Sequence, residues 1–232
     1  MVENQGLYQT PLTGSPTTTL KQHVIRALYD GTLLSKITNI ALVDTGGTER
    51  DSTTSLSYSV SGNQLTITCS ITASASYTIG KVRAYAGTNL YFETTPSTQP
   101  AVNSGDTVNV TLTITVSISG TLSYGGSSYS MTMVNFGNLV CNVLAGNASA
   151  SGLKINLINF VGGSTSNSVG TSNTLSADGL SVSFTGTIQV ITGYTINTVE
   201  IYGSTQLLWK YTGLSVTVTD GSTVTYSEQV SI

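Results

Sequence analysis

Charge is what this sequence has least of. Asp, Glu, Lys and Arg make up 8% of its 232 residues, against roughly 25% in a typical soluble domain. The eight Lys and Arg form no run or stripe, and the formal charge is −3. A basic footprint able to neutralise phosphates is missing, which excludes nucleic-acid binding. No apolar stretch approaches the roughly 20 residues that span a bilayer, so membrane insertion is not expected. Disorder is excluded too, because disordered chains combine low hydrophobicity with high net charge, and 39% of this chain is hydrophobic. Met1 is followed by Val2-Glu3-Asn4-Gln5-Gly6, with neither a basic nor an apolar region, so no secretory signal is expected at this start. That leaves a chain kept in a cell until assembly, or one that begins after a removed leader.

Histidine and cysteine are almost as scarce. One histidine, His23, and two cysteines, Cys69 and Cys141, cannot supply a closed zinc site with the usual spacing. Cys69 continues the alternation Leu65, Ile67, Cys69, Ile71 and reads as a small core residue, while Cys141 falls on an expected helix. Two buried thiols are the expectation, with a disulfide between them as the alternative. A Ser-His-Asp arrangement would need His23 beside a carboxylate and a nucleophile, and Asp30 lies about two helical turns away. Asp44, Glu49 and Asp51 cluster around Gly46-Gly47, but no EF-hand spacing accompanies them. A solvated loop is expected there, with calcium as the alternative. No glycine-rich loop leads from strand to helix with a following lysine, so a phosphate cradle is absent. No catalytic, cofactor-binding or metal-binding residue is assigned, and the chain reads as non-enzymatic.

What the chain does have is a repeat. Asn63-Gln64-Leu65-Thr66-Ile67-Thr68 answers to Asp178-Gly179-Leu180-Ser181-Val182-Ser183. Tyr77-Thr78-Ile79-Gly80-Lys81-Val82-Arg83-Ala84-Tyr85 answers to Tyr194-Thr195-Ile196-Asn197-Thr198-Val199-Glu200-Ile201-Tyr202. Leu90-Tyr91-Phe92 then matches Leu207-Leu208-Trp209, and Gly105-Asp106-Thr107-Val108 matches Gly221-Ser222-Thr223-Val224. Upstream, the block beginning Lys36-Ile37 matches the block beginning Lys154-Ile155. Such blocks, in one order and at nearly constant offset, mean an internal duplication.

Each copy opens with a short helix. In the first, Thr18 or Thr19 is expected to cap a helix over residues 20–29, and Gly31 supplies the left-handed C′ position. The second helix is expected over 136–145, ending at Gly146, with Asn138 as the counterpart of His23. Strands follow, in which Val108, Val110, Leu112, Ile114 and Val116 alternate with Thr, Asn and Ser. Alternation of this kind builds sheets with one buried and one wet face. Two such sheets face to face make a sandwich of roughly 100 residues. The fold class is therefore all-β: two tandem β-sandwich, jelly-roll-like modules, each with one short helix. Expected boundaries are an extended arm at 1–17, a first sandwich at 18–119, a Gly/Ser linker at 120–130 and a second sandwich at 131–232. The arm is expected to order only in an assembly, against a neighbouring chain.

Tyrosine outnumbers the other aromatics, twelve against four Phe and one Trp. Because Tyr85/Tyr202 and Tyr77/Tyr194 recur at repeat positions, packing within each module is expected, a ligand or receptor surface being the alternative. Asn109-Val110-Thr111 and Asn147-Ala148-Ser149 are glycosylation sequons, which a chain so rich in Asn, Ser and Thr also produces by chance. With eleven Asp and Glu, stability is expected to fall little between neutral pH and about pH 3, compatible with an acidic habitat.

The repeated Tyr-Thr-Ile-x-x-Val-x-x-Tyr block resembles the jelly-roll modules in turret and spike proteins of archaeal viruses such as Sulfolobus turreted icosahedral virus. So do Leu28-Tyr29-Asp30-Gly31, Ile37-Thr38-Asn39-Ile40-Ala41-Leu42 and residues 105–114. Similar modules occur in bacteriophage tail and vertex proteins. The resemblance implies a non-catalytic virion structural protein of a thermoacidophile's virus. It implies a turret, vertex, spike or ring assembled as a homo-oligomer with other virion proteins, and a host surface receptor as a possible partner. A secreted archaeal filament or surface-layer subunit and a carbohydrate-binding module are the alternatives.

Overall fold

Alternating apolar and polar residues build strands, and the computed structural model is all-β apart from two short helices and one 3-10 turn. It describes residues 11–13, 15–204 and 206–231. The chain divides into two units. The first comprises residues 1–21, 35–115 and 141–147, and the second residues 22–34, 116–140 and 148–232.

The strands of the first unit are β1 (Pro11–Thr13), β2 (Ser15–Pro16), β3 (Asn39–Asp44), β4 (Glu49–Thr53), β5 (Ser57–Ser61), β6 (Gln64–Thr72), β7 (Tyr77–Ala86), β8 (Asn89–Thr94), β9 (Ala101–Val102) and β10 (Thr107–Thr115). One sheet runs β1-β10-β6-β5, the other β2-β8-β7-β3-β4 with β9 on β7. Leu65, Ile67 and Ile71 of β6, with Val108, Val110, Leu112 and Ile114 of β10, are buried. From the other sheet Ile40, Leu42, Ile79, Val82 and Phe92 are buried as well. Each such side chain contributes roughly 1.5–3 kcal/mol when fully removed from water.

The second unit holds β11 (Thr121–Tyr124), β12 (Ser127–Met133), β13 (Ile155–Gly162), β14 (Thr165–Gly170), β15 (Ser172–Leu175), β16 (Ser181–Gln189), β17 (Tyr194–Gly203), β18 (Gln206–Val218) and β19 (Thr223–Ser231). Its sheets run β15-β16-β19 and β11-β12-β18-β17-β13-β14.

Strand pairing exposes the duplication. The antiparallel neighbours β3·β7, β7·β8 and β6·β10 of the first unit recur as β13·β17, β17·β18 and β16·β19. Ala84 faces Phe92 and Ile201 faces Trp209, and a register shift follows at Tyr85 and again at Tyr202. Val108 sits opposite Ile71, and Val224 opposite Ile188. Carried along the strands, this register pairs Leu65 with Ile114 and Val182 with Val230. The counterpart of Leu65 is thus Val182, two residues beyond the expected Leu180. A two-residue slip leaves every side chain on the same face, which is why alternation alone does not detect it.

The helices are α1 (Thr18–Asp30) and α2 (Phe136–Ala145). The cap of α1 is one or two residues earlier than expected: the Leu20 amide donates to Thr17 Oγ1 at 3.3 Å, so Thr17 caps α1 in place of Thr18 or Thr19. Gly31 and Gly146 close the helices at φ 79° and 82°. With the buried Leu20 and Phe136 aligned, burial runs in step along both helices, so His23 answers to Leu139 rather than Asn138. Helix membership also departs from the expected boundaries. Residues 22–34 belong to the second unit, where Gln22 Nε2 donates to the Asp178 carbonyl at 2.8 Å. Residues 141–147 belong to the first, where the Ile37 amide donates to the Leu144 carbonyl at 2.9 Å. Each repeat's helix is in large part a component of the other repeat's unit.

Two further expectations are corrected. The Gly/Ser stretch 120–130 is a hairpin, β11 on β12, turning at Gly125 and Gly126, both with positive φ. Glycine here makes the turn that a two-residue hairpin loop requires. Of the arm, residues 1–10 lie outside the described residues, but β1 pairs in parallel with β10 and β2 pairs with β8 of the same chain. Met133 faces Trp209 as Pro16 faces Phe92, so this end of the arm has a counterpart in β12.

Candidate functional site

Charge is segregated by sheet. In the first unit it lies on the sheet built around β3, β7 and β8. Arg83 donates to Glu93 at 2.8 Å and pairs with Glu49 at 3.1 Å, and Lys81 reaches Glu93 at 2.6 Å. The Tyr85 hydroxyl donates to Glu49 and the Tyr77 hydroxyl to Asp51. Lys81 first, then Arg83, hold the Glu93 carboxyl below its usual range. Asp44 is buried, and the Thr48 amide, followed by Arg50, lowers it likewise. Burial acts to raise Asp51, but hydrogen bonds from Tyr77 and Ser74 outweigh it. The cluster Asp44, Glu49 and Asp51 is thus engaged with Arg50, Arg83 and tyrosine hydroxyls and is not an open cation loop. Among the described residues no group of three or more His, Cys, Asp and Glu is placed to hold a metal.

The opposite sheets are uncharged on their outward faces. Strands β5, β6 and β10 present Ser, Thr, Gln and Asn at every outward position, and β15, β16 and β19 do the same. Hydroxyls meet across the strands: Thr187 and Thr225 at 3.0 Å, Thr185 and Ser227 at 3.0 Å. Ser70 donates to Asn109 at 2.7 Å, which places the first sequon on this face, half-buried; Asn147 is exposed beyond α2.

One carboxyl breaks the segregation. On β19 the inward series Val224, Tyr226, Glu228, Val230 carries a glutamate into the second unit's interior. Glu228 accepts from the Tyr211 hydroxyl at 2.5 Å, the Tyr226 hydroxyl at 2.6 Å and Trp209 Nε1 at 3.4 Å. Burial pushes the carboxyl above its usual range, and the three donated hydrogen bonds oppose this without cancelling it. Burial, reinforced by the glutamate's charge, raises both tyrosines. Trp209 is fully buried, edge-on to Phe136 at 6.2 Å and to Phe184 at 6.1 Å. A β carbon on Gly120 would lie 2.8 Å from Met131 and 3.1 Å from the Tyr211 hydroxyl, so glycine lets this backbone approach the cluster. Beside it a groove of about 340 Å³ is lined by 119–123, Met131, Tyr211 and 226–231.

His23 is half-buried, and burial lowers its imidazole below the usual value. Asp30 is bonded to Arg26 and Thr32. Cys69 and Cys141 are free thiols, pushed up to about 11 by burial; Cys69 is half-buried rather than fully in the core. The recurring tyrosines are half-buried, and Tyr77, Tyr85 and Tyr202 use their hydroxyls on carboxylates. Glu228 belongs to no sequence motif, yet a charged residue in an otherwise apolar alternation was a signal open to reading. Compared with known proteins, the chain matches no family model, no curated protein and no solved structure.

Proposed function

We propose that the chain is a non-catalytic structural subunit that assembles with copies of itself, in the role of a virion surface, turret or vertex protein. The observation that supports this is the pair of uncharged, hydroxyl-lined sheet faces. Ser and Thr hydroxyls are donor and acceptor at once and rotate to suit. A face made of them is therefore complementary to itself, as an isologous contact requires. Two copies meeting through such faces encounter no like-charge repulsion and desolvate no ion. On this reading the other virion proteins and any host receptor are met through the remaining surface, and the protein resides in the particle.

The test is assembly as a function of added charge. Oligomers measured by light scattering should persist from low to high salt, since no ion pair holds them. Thr68→Lys and Thr115→Lys, on β6 and β10 but not opposite each other, should each dissolve them at low salt while melting stays nearly unchanged. A chain that remains monomeric at every concentration and pH, or whose oligomers ignore these lysines, would remove the reading. Mass spectrometry of purified particles then tests the virion assignment.

A further inference from the structure

We propose that a cleft between β11 and β19 of the second unit binds a small primary alkylammonium ion, its charged end on Glu228 and its methylene chain in an adjoining apolar hollow. The inference goes beyond the assembly reading and does not depend on it. Two hollows make up the cleft, one of about 340 Å³ beside Glu228 and one of about 200 Å³. They adjoin, since Leu122, Ser123, Tyr226 and Ser227 line both. All of the lining residues are among those described, and all belong to the second unit. Together the hollows fall in the range of roughly 300–1,000 Å³ typical of small-molecule sites.

The two halves differ in chemistry. Around Glu228 the wall is Ser119, Gly120, Thr121, Gln229 and Ser231. A carboxylate offers about four lone-pair sites. Oε2 accepts from both Tyr226 and Trp209, whereas Oε1 accepts from Tyr211 alone. Among the described residues one site on Oε1 is therefore unfilled. Oε1 is also the oxygen nearest the groove wall, where a β carbon on Gly120 would lie 3.7 Å from it. No Lys, Arg or His among the described residues forms an ion pair with Glu228, and its three donors are neutral. A cation is what this half-buried carboxylate lacks. Charge-assisted hydrogen bonds are roughly twice as strong as neutral ones, and an ammonium N–H supplies one.

The second hollow is walled by Phe160, Ile196, Val199, Leu214, Val216 and Val224, with no charged residue. It suits methylene groups, each of which strengthens binding about fourfold when buried. An anion would be repelled at the first half, and a wholly apolar molecule would leave the open acceptor unused. The first unit lacks the anchor, for Leu112, Val110 and Thr94 stand where Glu228, Tyr226 and Tyr211 do. One site per chain is expected.

Calorimetric titration of the full chain at neutral pH tests the site. Hexylammonium should bind once per chain and at least about tenfold more tightly than hexanol, and hexanoate should not bind. From butylammonium to hexylammonium, affinity should rise about fourfold per methylene. Glu228→Gln should bring hexylammonium down to the level of hexanol. On the unaltered protein, hexylammonium binding should weaken as pH falls through the folded value of Glu228, which burial raises, while hexanol binding holds. The ligand stays protonated throughout that range. The only other ionisable groups lining the cleft are Tyr124, Tyr211 and Tyr226, and β16, paired with β19, carries none. The proposal is overturned if hexylammonium does not bind, binds no better than hexanol, or ignores both the substitution and the acid. Affinity that is flat with chain length removes the apolar half, and the alkyl assignment with it. Lysine blocked at both ends carries the same ammonium and stem, but its peptide groups would have to enter the cleft. It should bind more weakly than hexylammonium; equal or tighter binding would assign the cleft to a partner's lysine and overturn the small-molecule ligand.

Discussion

The two units share strand order, register and even a bulge, yet they handle ionisable groups in opposite ways. The first neutralises its carboxylates with cations, the buried Asp44 with Arg50 and the more exposed Glu49 and Glu93 with Lys81 and Arg83. The second has the cross-strand pair Glu200 and Lys210 in reversed order of sign relative to Arg83 and Glu93. It then places Glu228 inside, where the first has Leu112. The surrounding positions differ in concert: Tyr226 for Val110, Tyr211 for Thr94, Trp209 for Phe92. A glutamate alone at Leu112 would strand a buried carboxyl, and the tyrosines alone would strand hydroxyls, each a destabilising change. Only the set is tolerable. Alternation therefore dictates the sandwich, while the content of an inward position is free to change when its neighbours change with it.

The largest expected break in this comparison is at the shared anchor. Trp209→Ala and Phe92→Ala should each lose about 3–5 kcal/mol in denaturant unfolding, with Trp209 the greater because Glu228 also loses a donor. Next is the cluster itself. Glu228→Leu, which restores the first unit's residue, should cost about 1–3 kcal/mol for each hydroxyl left without an acceptor. Adding Tyr211→Phe and Tyr226→Phe should recover most of that loss; a triple variant no better than the single would mean the cluster is not coupled.

Acid should separate the units further. Asp44, Asp51 and Glu93 lie below their usual range when folded. Their stabilisation is present above the unfolded values, roughly 4, and is lost as pH falls through the lower folded values. Glu228 is raised, so its contribution is full below the unfolded value and is lost as pH rises through the folded one. Of the second unit's lowered carboxyls Asp178 is exposed and screened by solvent, which leaves Asp30 alone against three in the first unit. Amide exchange between pH 7 and pH 3 should thus loosen the first unit more than the second, and Glu228→Gln should flatten the second unit's loss on the alkaline side. Uniform loosening would show that the inward-facing Glu228 carboxyl has no influence on stability. The smallest effect is expected from Arg83→Glu with Glu93→Lys, which copies the second unit's order of charge. It should change melting by less than about 1 kcal/mol, as exposed pairs do.

Much of this was legible in the sequence because it is periodic. Val108 to Ile114 alternate, and the strand they predict is β10; Gly146 ends the second helix where a left-handed residue was expected. The Gly/Ser run 120–130 misled because the same residues serve linkers and hairpin turns, and only pairing partners distinguish them. Glu228 was visible as an interruption of alternation, but Tyr211 and Trp209 come from another strand in another sheet, so the cluster exists only after folding. Helix membership left no local trace, since α1 has the same apolar face whichever strands it meets.

That helix membership bears on how the molecule is made. Hydrogen bonds from Gln22 to Asp178 and from Asn173 to Tyr29 span 156 and 144 residues of chain. During synthesis α1 leaves the ribosome first, while its partners in the second unit are still untranslated. The first unit likewise waits for residues 141–147. Neither sandwich can finish early and shelter the chain, so loop closure over most of the polypeptide must precede the last native contacts, which slows folding. The reverse holds for opening. Freeing either helix disturbs the unit built from the other repeat, so fraying at a helix should register in the amides of the other repeat's sandwich.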